Sequence, residues 1–179
     1  MTTIDLCQYE TPLGTVTGAE KEGRLLALAF SDSWERMDAR LVRRFGALGR
    51  RHAASGLQAR LDAYFAGEAT AFDDVTLDPG GTEFQSAVWA ALRRIPCGAT
   101  TTYAALGREI GSPKAVRAVG AANGANPIWL IIPCHRAIGS DGSLTGYAGG
   151  IERKRRLLEH EALCAPPCSS VVQSAIQFP

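Results

Sequence analysis

The run IWLIIPCHR, residues 128–136, places a thiol, an imidazole and a guanidinium in consecutive positions at the end of an apolar stretch. A free cysteine titrates at about 8.5, so only a few per cent is thiolate at neutral pH. To act as a nucleophile Cys134 needs a base and positive surroundings, and His135 and Arg136 are the nearest suppliers. Neighbours on an extended strand point to opposite faces, so His135 would reach the thiol through a bound water or through a bend after Pro133. A third group should orient the imidazole; Glu159 and Glu161, near the end of the last helical segment, are the candidate carboxylates. The competing reading makes Cys134 a small buried apolar residue that ends a core strand, with His135 and Arg136 capping it at the surface. The other cysteines suit nucleophilic work less well. Cys97 sits in a loop without a nearby histidine, and Cys164 and Cys168 flank a proline pair.

Composition narrows the setting. Five cysteines are an odd number without a repeated short spacing, which argues against a disulfide framework. His52, His135 and His160 are scattered, so no zinc site is expected. With 46% apolar and 21% charged residues the chain can bury a core. No apolar run could span a bilayer and no basic-then-apolar leader opens the chain, which predicts an intracellular, cytoplasmic protein. The net charge of +1 hides an asymmetry. Residues 1–81 hold 9 Lys/Arg against 12 Asp/Glu, whereas residues 82–161 hold 10 against 6. The half with the cysteine motif is the basic one, which suits a polyanion.

The elements that must position these groups follow from pattern. Short apolar runs over residues 4–30, broken at Thr11–Gly14 and Glu22-Gly23, read as a strand meander. Trp34, Met37, Leu41 and Phe45 recur at helical spacing behind Ser33, an N-cap candidate. A second short helix ends at Gly67. Pro79, Gly80 and Gly81 mark a boundary, giving a domain over 1–78, a linker over 79–82, a second domain over 83–163 and a tail over 164–179. Thr82 opens a helix that stops at Pro96 and Gly98. Two short helices joined at Gly111-Ser112-Pro113 then form a helix-turn-helix outline, with Thr102 as N-cap and Pro113 in the first turn of the second helix. That second helix crowds Ala115, Ala118, Gly120, Ala121, Ala122 and Gly124 around Arg117. A major-groove reader displays long polar side chains. A face of small residues instead allows close approach, either to a minor-groove floor or to a packed neighbour. The final helix, from Ile151, is expected to turn Ile151, Leu157, Leu158 and Ala162 inward and its charges outward.

The motif PCHR closing NPIWLIIPCHR, together with GTEFQSAVWAALRRIPCGATTTYAALGREIG, SPKAVRAVGAANGANP and GSLTGYAGGIERKRRLLEHE, resembles the O6-alkylguanine-DNA alkyltransferases, the methylated-DNA–protein-cysteine S-methyltransferases. The likeness is close over residues 80–161 and weaker, through PLG and YFAGE, over the N-terminal half. It implies an α+β fold: a ribonuclease-H-like α/β domain followed by a helical, winged helix-turn-helix-like domain. It also implies a monomer that repairs double-stranded DNA from the minor groove, flipping out an alkylated guanine. The alkyl group would pass irreversibly to Cys134, once per molecule, without metal or cofactor. On this likeness His135 relays the thiol proton through a water, Glu161 orients His135, and Asn126 braces the active-site turn. Arg117 fills the space of the flipped base and Tyr103 rotates the phosphate and bonds the guanine. Trp129, Arg136, Tyr147, Ala148 and Gly149 serve the substrate pocket. O4-alkylthymine activity and the choice between methyl and bulkier groups stay open. The rival readings are a turnover cysteine hydrolase and a lesion binder that does no chemistry.

Overall fold

Short apolar runs build the first strands of this computed structural model, which describes residues 2–164. Strands β1 (Thr2–Tyr9), β2 (Val16–Lys21) and β3 (Arg24–Phe30) form an antiparallel meander. Helix α1 (Trp34–Phe45) then carries the chain to β4 (Leu48–His52), which lies parallel to β1, so the sheet order is β3-β2-β1-β4. Pattern reading gives no strand at β4, because Gly49, Arg50, Arg51 and His52 show no apolar alternation; its place comes from pairing with β1. On α1, Met37 and Leu41 are buried with Trp34 and Phe45 packed beside them, as the spacing predicts. Ser33 stands at the N-cap but makes no capping bond; its hydroxyl turns to Asp32. Helix α2 (Leu57–Phe65) buries Leu57, Leu61 and Tyr64.

β3 is an edge strand, and a bare edge invites unwanted pairing. Here the downstream chain covers it. Leu25 exchanges backbone bonds with Thr76 and Asp78. Farther along, Leu28 N–H donates to the Pro127 carbonyl at 2.9 Å and Trp129 N–H donates to Leu28 at 2.8 Å. The apolar run that holds the cysteine is thus pinned to the first sheet.

The C-terminal half is helical: α3 (Glu83–Arg93), α4 (Tyr103–Glu109), α5 (Val116–Gly124) and α6 (Ile151–Cys164), with a small parallel pair β5 (Thr101–Thr102) and β6 (Ala137–Ile138). Thr82 and Gln85 form a capping box on α3, and Thr102 caps α4 by accepting from Ala105 N–H. Gly107 has a packing purpose. A Cβ there would sit 3.1 Å from the Ser112 carbonyl, which folds back over α4. Pro113 lies in the turn ahead of α5 rather than in its first helical turn.

Two expectations for α6 fail. Ile151 is 44% exposed and Ala162 is exposed, whereas Lys154 and Glu161 are fully buried with Leu157 and Leu158. The helix meets the core along a stripe that includes two charges, because the core supplies partners for both. Cys164 ends α6 rather than opening a tail; Cys168 and residues 165–179 lie outside the described residues. Among the described residues no helix is long and apolar enough to cross a membrane.

Candidate active site

The run before the cysteine is not a strand. Ile131 N–H donates to the Trp129 carbonyl across Leu130, whose φ is +70°. That is a γ-turn of the rare positive-φ kind, strained for a residue with a side chain. A second tight bend follows, Cys134 N–H donating to the Ile132 carbonyl at 2.7 Å over Pro133. Asn126, buried, holds the segment from inside. Its amide donates to the Ile132 carbonyl at 2.8 Å, its oxygen accepts from Ile128 N–H at 2.9 Å, and its own carbonyl accepts from the Trp129 indole at 3.0 Å. Cys134, His135 and Arg136 then share one turn of 3₁₀-helix, which removes the opposite-face geometry of a strand.

His135 is fully buried. Its Nε2 lies 2.9 Å from Glu161 Oε1, so with the carboxylate ionised Nε2–H donates to it, and in the neutral ring Nδ1 keeps a lone pair. Nδ1 has no hydrogen-bond partner among the described residues. Of the two candidate carboxylates the structure therefore selects Glu161, while Glu159 pairs with Arg155 on the outside of α6. Burial works to raise the Glu161 carboxyl, but His135 and Arg136 hold it well below the usual carboxylate range.

Arg136 is placed differently from the expectation that its charge surrounds the thiol or the substrate. Its Nε and Nη2 bond both oxygens of Glu161 at 2.9 and 2.8 Å, and Nη1 donates to the Ile95 carbonyl at 2.5 Å. It is 8% exposed and braces the carboxylate.

The thiol is also more enclosed than a nucleophile poised as thiolate would be. Cys134 is 3% exposed, and burial pushes it up to about 11, against the lowering effects of Asn126 and Lys154. At neutral pH the resting group is the thiol. The cation acting on it is Lys154, which the sequence reading had turned outward. Its ammonium donates to the carbonyls of Ala137 and Thr145 at 2.6 and 2.8 Å. Burial lowers it to about 8, and the nearby Cys134 works the other way.

The remaining residues ring this centre. Trp129 is buried between Phe30 and Tyr147, at ring-centroid distances of 6.0 and 5.8 Å. The Tyr147 hydroxyl is buried and has no hydrogen-bond partner among the described residues, 6.4 Å separating its ring from that of His135. Gly149 is obligatory: a Cβ would lie 2.7 Å from the Tyr147 ring. Ala148 is exposed beside them. Tyr103, at the start of α4, is half-buried and donates to the Thr145 carbonyl at 3.2 Å. Arg117 stands apart, exposed on α5 with Ala118 and Ala121. A Cβ on Gly120 or Gly124 would meet nothing within 4 Å, so packing does not demand those glycines. Among the described residues no cluster of three or more His, Cys, Asp or Glu could hold a metal ion.

Two family profiles match the chain. Residues 83–163 match the 6-O-methylguanine DNA methyltransferase DNA binding domain, and residues 7–79 match the ribonuclease-like domain of the same proteins. The chain belongs to the 6-O-methylguanine DNA methyltransferase family. Within that family it is 45% identical to a methylated-DNA–protein-cysteine methyltransferase of Salmonella typhimurium, covering 84% of this chain and 91% of that one. A namesake from Mycobacterium tuberculosis is 59% identical over 64% of this chain and 68% of its own. The crystal structure of Mycobacterium tuberculosis OGT in complex with DNA superposes with a TM-score of 0.78 at 45% identity, covering 91% and 96% of the two chains.

For a member of this family, sequence reading missed two groups around the cysteine. Lys154 gave no signal, because a lysine in ERKRR reads as surface. Tyr64, on α2 of the N-terminal half, donates its hydroxyl to Glu161 at 2.7 Å across 97 positions of sequence. The YFAGE segment that holds it carried only a weak likeness.

Proposed function

We infer that the protein repairs DNA by direct reversal of alkylation, moving the alkyl group of O6-alkylguanine irreversibly to Cys134, one group per molecule. The carrying observation is Cys134 in the same tight turn as His135, whose Nε2 is tied to Glu161 and whose Nδ1 has no partner among the described residues. Displacement at an alkyl carbon favours a soft, polarizable sulfur. The S–C bond forms as the C–O6 bond breaks; the bonding pair goes to the guanine, and the thiol proton ends there as well. Because the resting thiol is protonated, His135 Nδ1 takes that proton first, through a water, and the imidazolium is stabilised by Glu161. Lys154 supplies positive potential to the sulfur at that moment. The Tyr103 hydroxyl hydrogen-bonds the departing purine. A thioether has no easy route back to thiol, which makes each molecule a single-use reagent.

The damaged base reaches this buried centre by leaving the stack, at a cost of roughly a few kcal/mol, least for a poorly paired base. On this reading Arg117, exposed on α5, fills the gap, and the small residues of that helix approach the minor groove closely. Trp129, Tyr147, Ala148 and Gly149 shape the base pocket, with Asn126 bracing its floor and Arg136 acting on substrate only through Glu161. We read residues 1–78 as a ribonuclease-H-like domain and 83–163 as a winged helix-turn-helix with β5 and β6 as the wing, joined by 79–82. One molecule carries every group needed, so it acts as a monomer. The free cysteines Cys7, Cys97, Cys134 and Cys164 accord with a cytoplasmic setting.

The deciding experiment exposes the protein to duplex bearing one O6-methylguanine and maps the product by peptide mass spectrometry. A single stable methyl on the Cys134 peptide is expected. Methyl on another cysteine, or repeated product release from one protein molecule, overturns the reading.

A further inference from the structure

Helix α1 of the N-terminal half sets Arg36, Arg40 and Arg43 at i, i+4 and i+7, along one face. With Met37 and Ala125 they line a cavity of about 190 Å³ against the C-terminal end of α5. Arg36 donates to the Gly124 carbonyl at 2.8 Å and Arg40 to the Ala125 carbonyl at 2.7 Å. Those two bonds suit the negative end of a helix. They do not account for the third arginine, and carbonyl dipoles do not neutralise three full charges. Among the described residues none of the three makes an ion pair. Of the carboxylates on or beside α1, Asp38 pairs with Arg50 and Asp32 with Arg153, while Glu35, one residue before Arg36, lies off the face that Arg36, Arg40 and Arg43 share. Residues 162–179 contain no Asp or Glu that could fold over the site. Burial depresses Arg40, and the neighbouring Arg43, Arg44 and Arg36 depress it further, the mark of mutual repulsion.

The cavity lies in line with the surface that faces DNA in the proposed function. On α5, positions 117, 121 and 124 share one face; Arg117 and Ala121 are exposed, and Gly124 receives the Arg36 bond. Seven residues of helix span about 10 Å, and a DNA strand carries one phosphate per about 3.4 Å of axis. With Arg117 at the lesion and a strand running along α5, a phosphate some three nucleotides away falls at the arginine face. We propose that Arg36, Arg40 and Arg43 form a seat for a backbone phosphodiester of the bound duplex, so that the N-terminal half contributes directly to DNA binding. The proposal rests on the reading of α5 as the DNA-facing helix.

Arg43 is the clean probe, since among the described residues it has no hydrogen bond to lose. In a Cys134→Ser background, binding of a lesion duplex is followed by fluorescence anisotropy across about 50–200 mM salt, the range in which phosphate contacts separate most clearly. Arg43→Ala should flatten the slope of log K against log salt by about 0.9 and weaken binding about tenfold at the low-salt end. Arg43→Glu should weaken it more, and both effects should vanish on a duplex cut short on that side of the lesion. Thermal melting of both variants should match the parent. Parallel salt slopes for parent and Arg43→Ala overturn the proposal, as does inorganic phosphate binding that depends on Arg43 while duplex binding does not. Arg117→Ala in the same titration reports on α5 itself: if it changes nothing, the DNA-facing assignment fails, whatever Arg43 does.

Discussion

Helices α5 and α6 use similar chemistry in opposite directions. α6 carries a lysine and a glutamate into the core, fully buried, and leaves Ile151 in solvent. α5 leaves Ala118 and Ala121 in solvent and a half-buried Gly120 with open space over it. A rule that sends polar residues out and apolar residues in misreads both. Burying a charge is costly unless partners meet it, and on α6 they do. Lys154 finds two carbonyls. Glu161 receives Tyr64, His135 and both arms of Arg136, with the Gly98 N–H at 3.4 Å. Among the described residues no such internal partner meets the small residues of α5, and the proposed function gives their exposure a use. On the proposed function, chemistry falls to α6 and its turn, and contact to α5.

The hardest blow to that division is aimed at the sulfur. Cys134→Ser should abolish transfer while lesion-duplex binding persists; surviving transfer would remove Cys134 from the chemistry. Next in size, Glu161→Gln leaves Arg136 buried beside a neutral amide and should cost about 3–5 kcal/mol in urea unfolding. The Glu161 carboxyl is lowered in the folded state, so its contribution is present above the ordinary value of 4.5 and declines as pH falls below it. The stability gap between wild type and Glu161→Gln should therefore narrow in acid; a gap independent of pH would show that the carboxylate charge is not what holds the network.

Lys154→Met tests which cation acts on the thiol. Alkylation of Cys134 by a small neutral reagent at neutral pH should slow about tenfold, the equivalent of one pKa unit, and an unchanged rate would return that role to Arg136. The smallest effect belongs to α5. Gly120→Ala should stabilise the fold by about 0.5–1 kcal/mol, as expected when glycine leaves a helix interior without a clash. It should nonetheless weaken duplex binding several-fold. Stabilisation without any loss of binding would make the small face a matter of indifference rather than contact.

Much of this was readable beforehand where the signal is local. The Trp34, Met37, Leu41, Phe45 stripe, the Thr102 cap and the Cys134-His135 neighbourhood depend on residues within a few positions of one another. The misread parts depend on distant ones. β4 exists because β1 offers it a ladder, and the γ-turns before Cys134 hold because Asn126 and Leu28 grip them.

By itself the sequence determined which atoms were on hand: one cysteine next to one histidine, a basic half, and a helix of small residues around Arg117. The tertiary structure decided which charges lie inside, since a buried ammonium or carboxylate is tolerable only where carbonyls, hydroxyls and guanidinium groups from remote parts of the chain converge on it. That convergence moved the cation near the sulfur from Arg136 to Lys154, fixed Glu161 as the partner of His135, and brought Tyr64 of the N-terminal half into hydrogen-bond contact with Glu161.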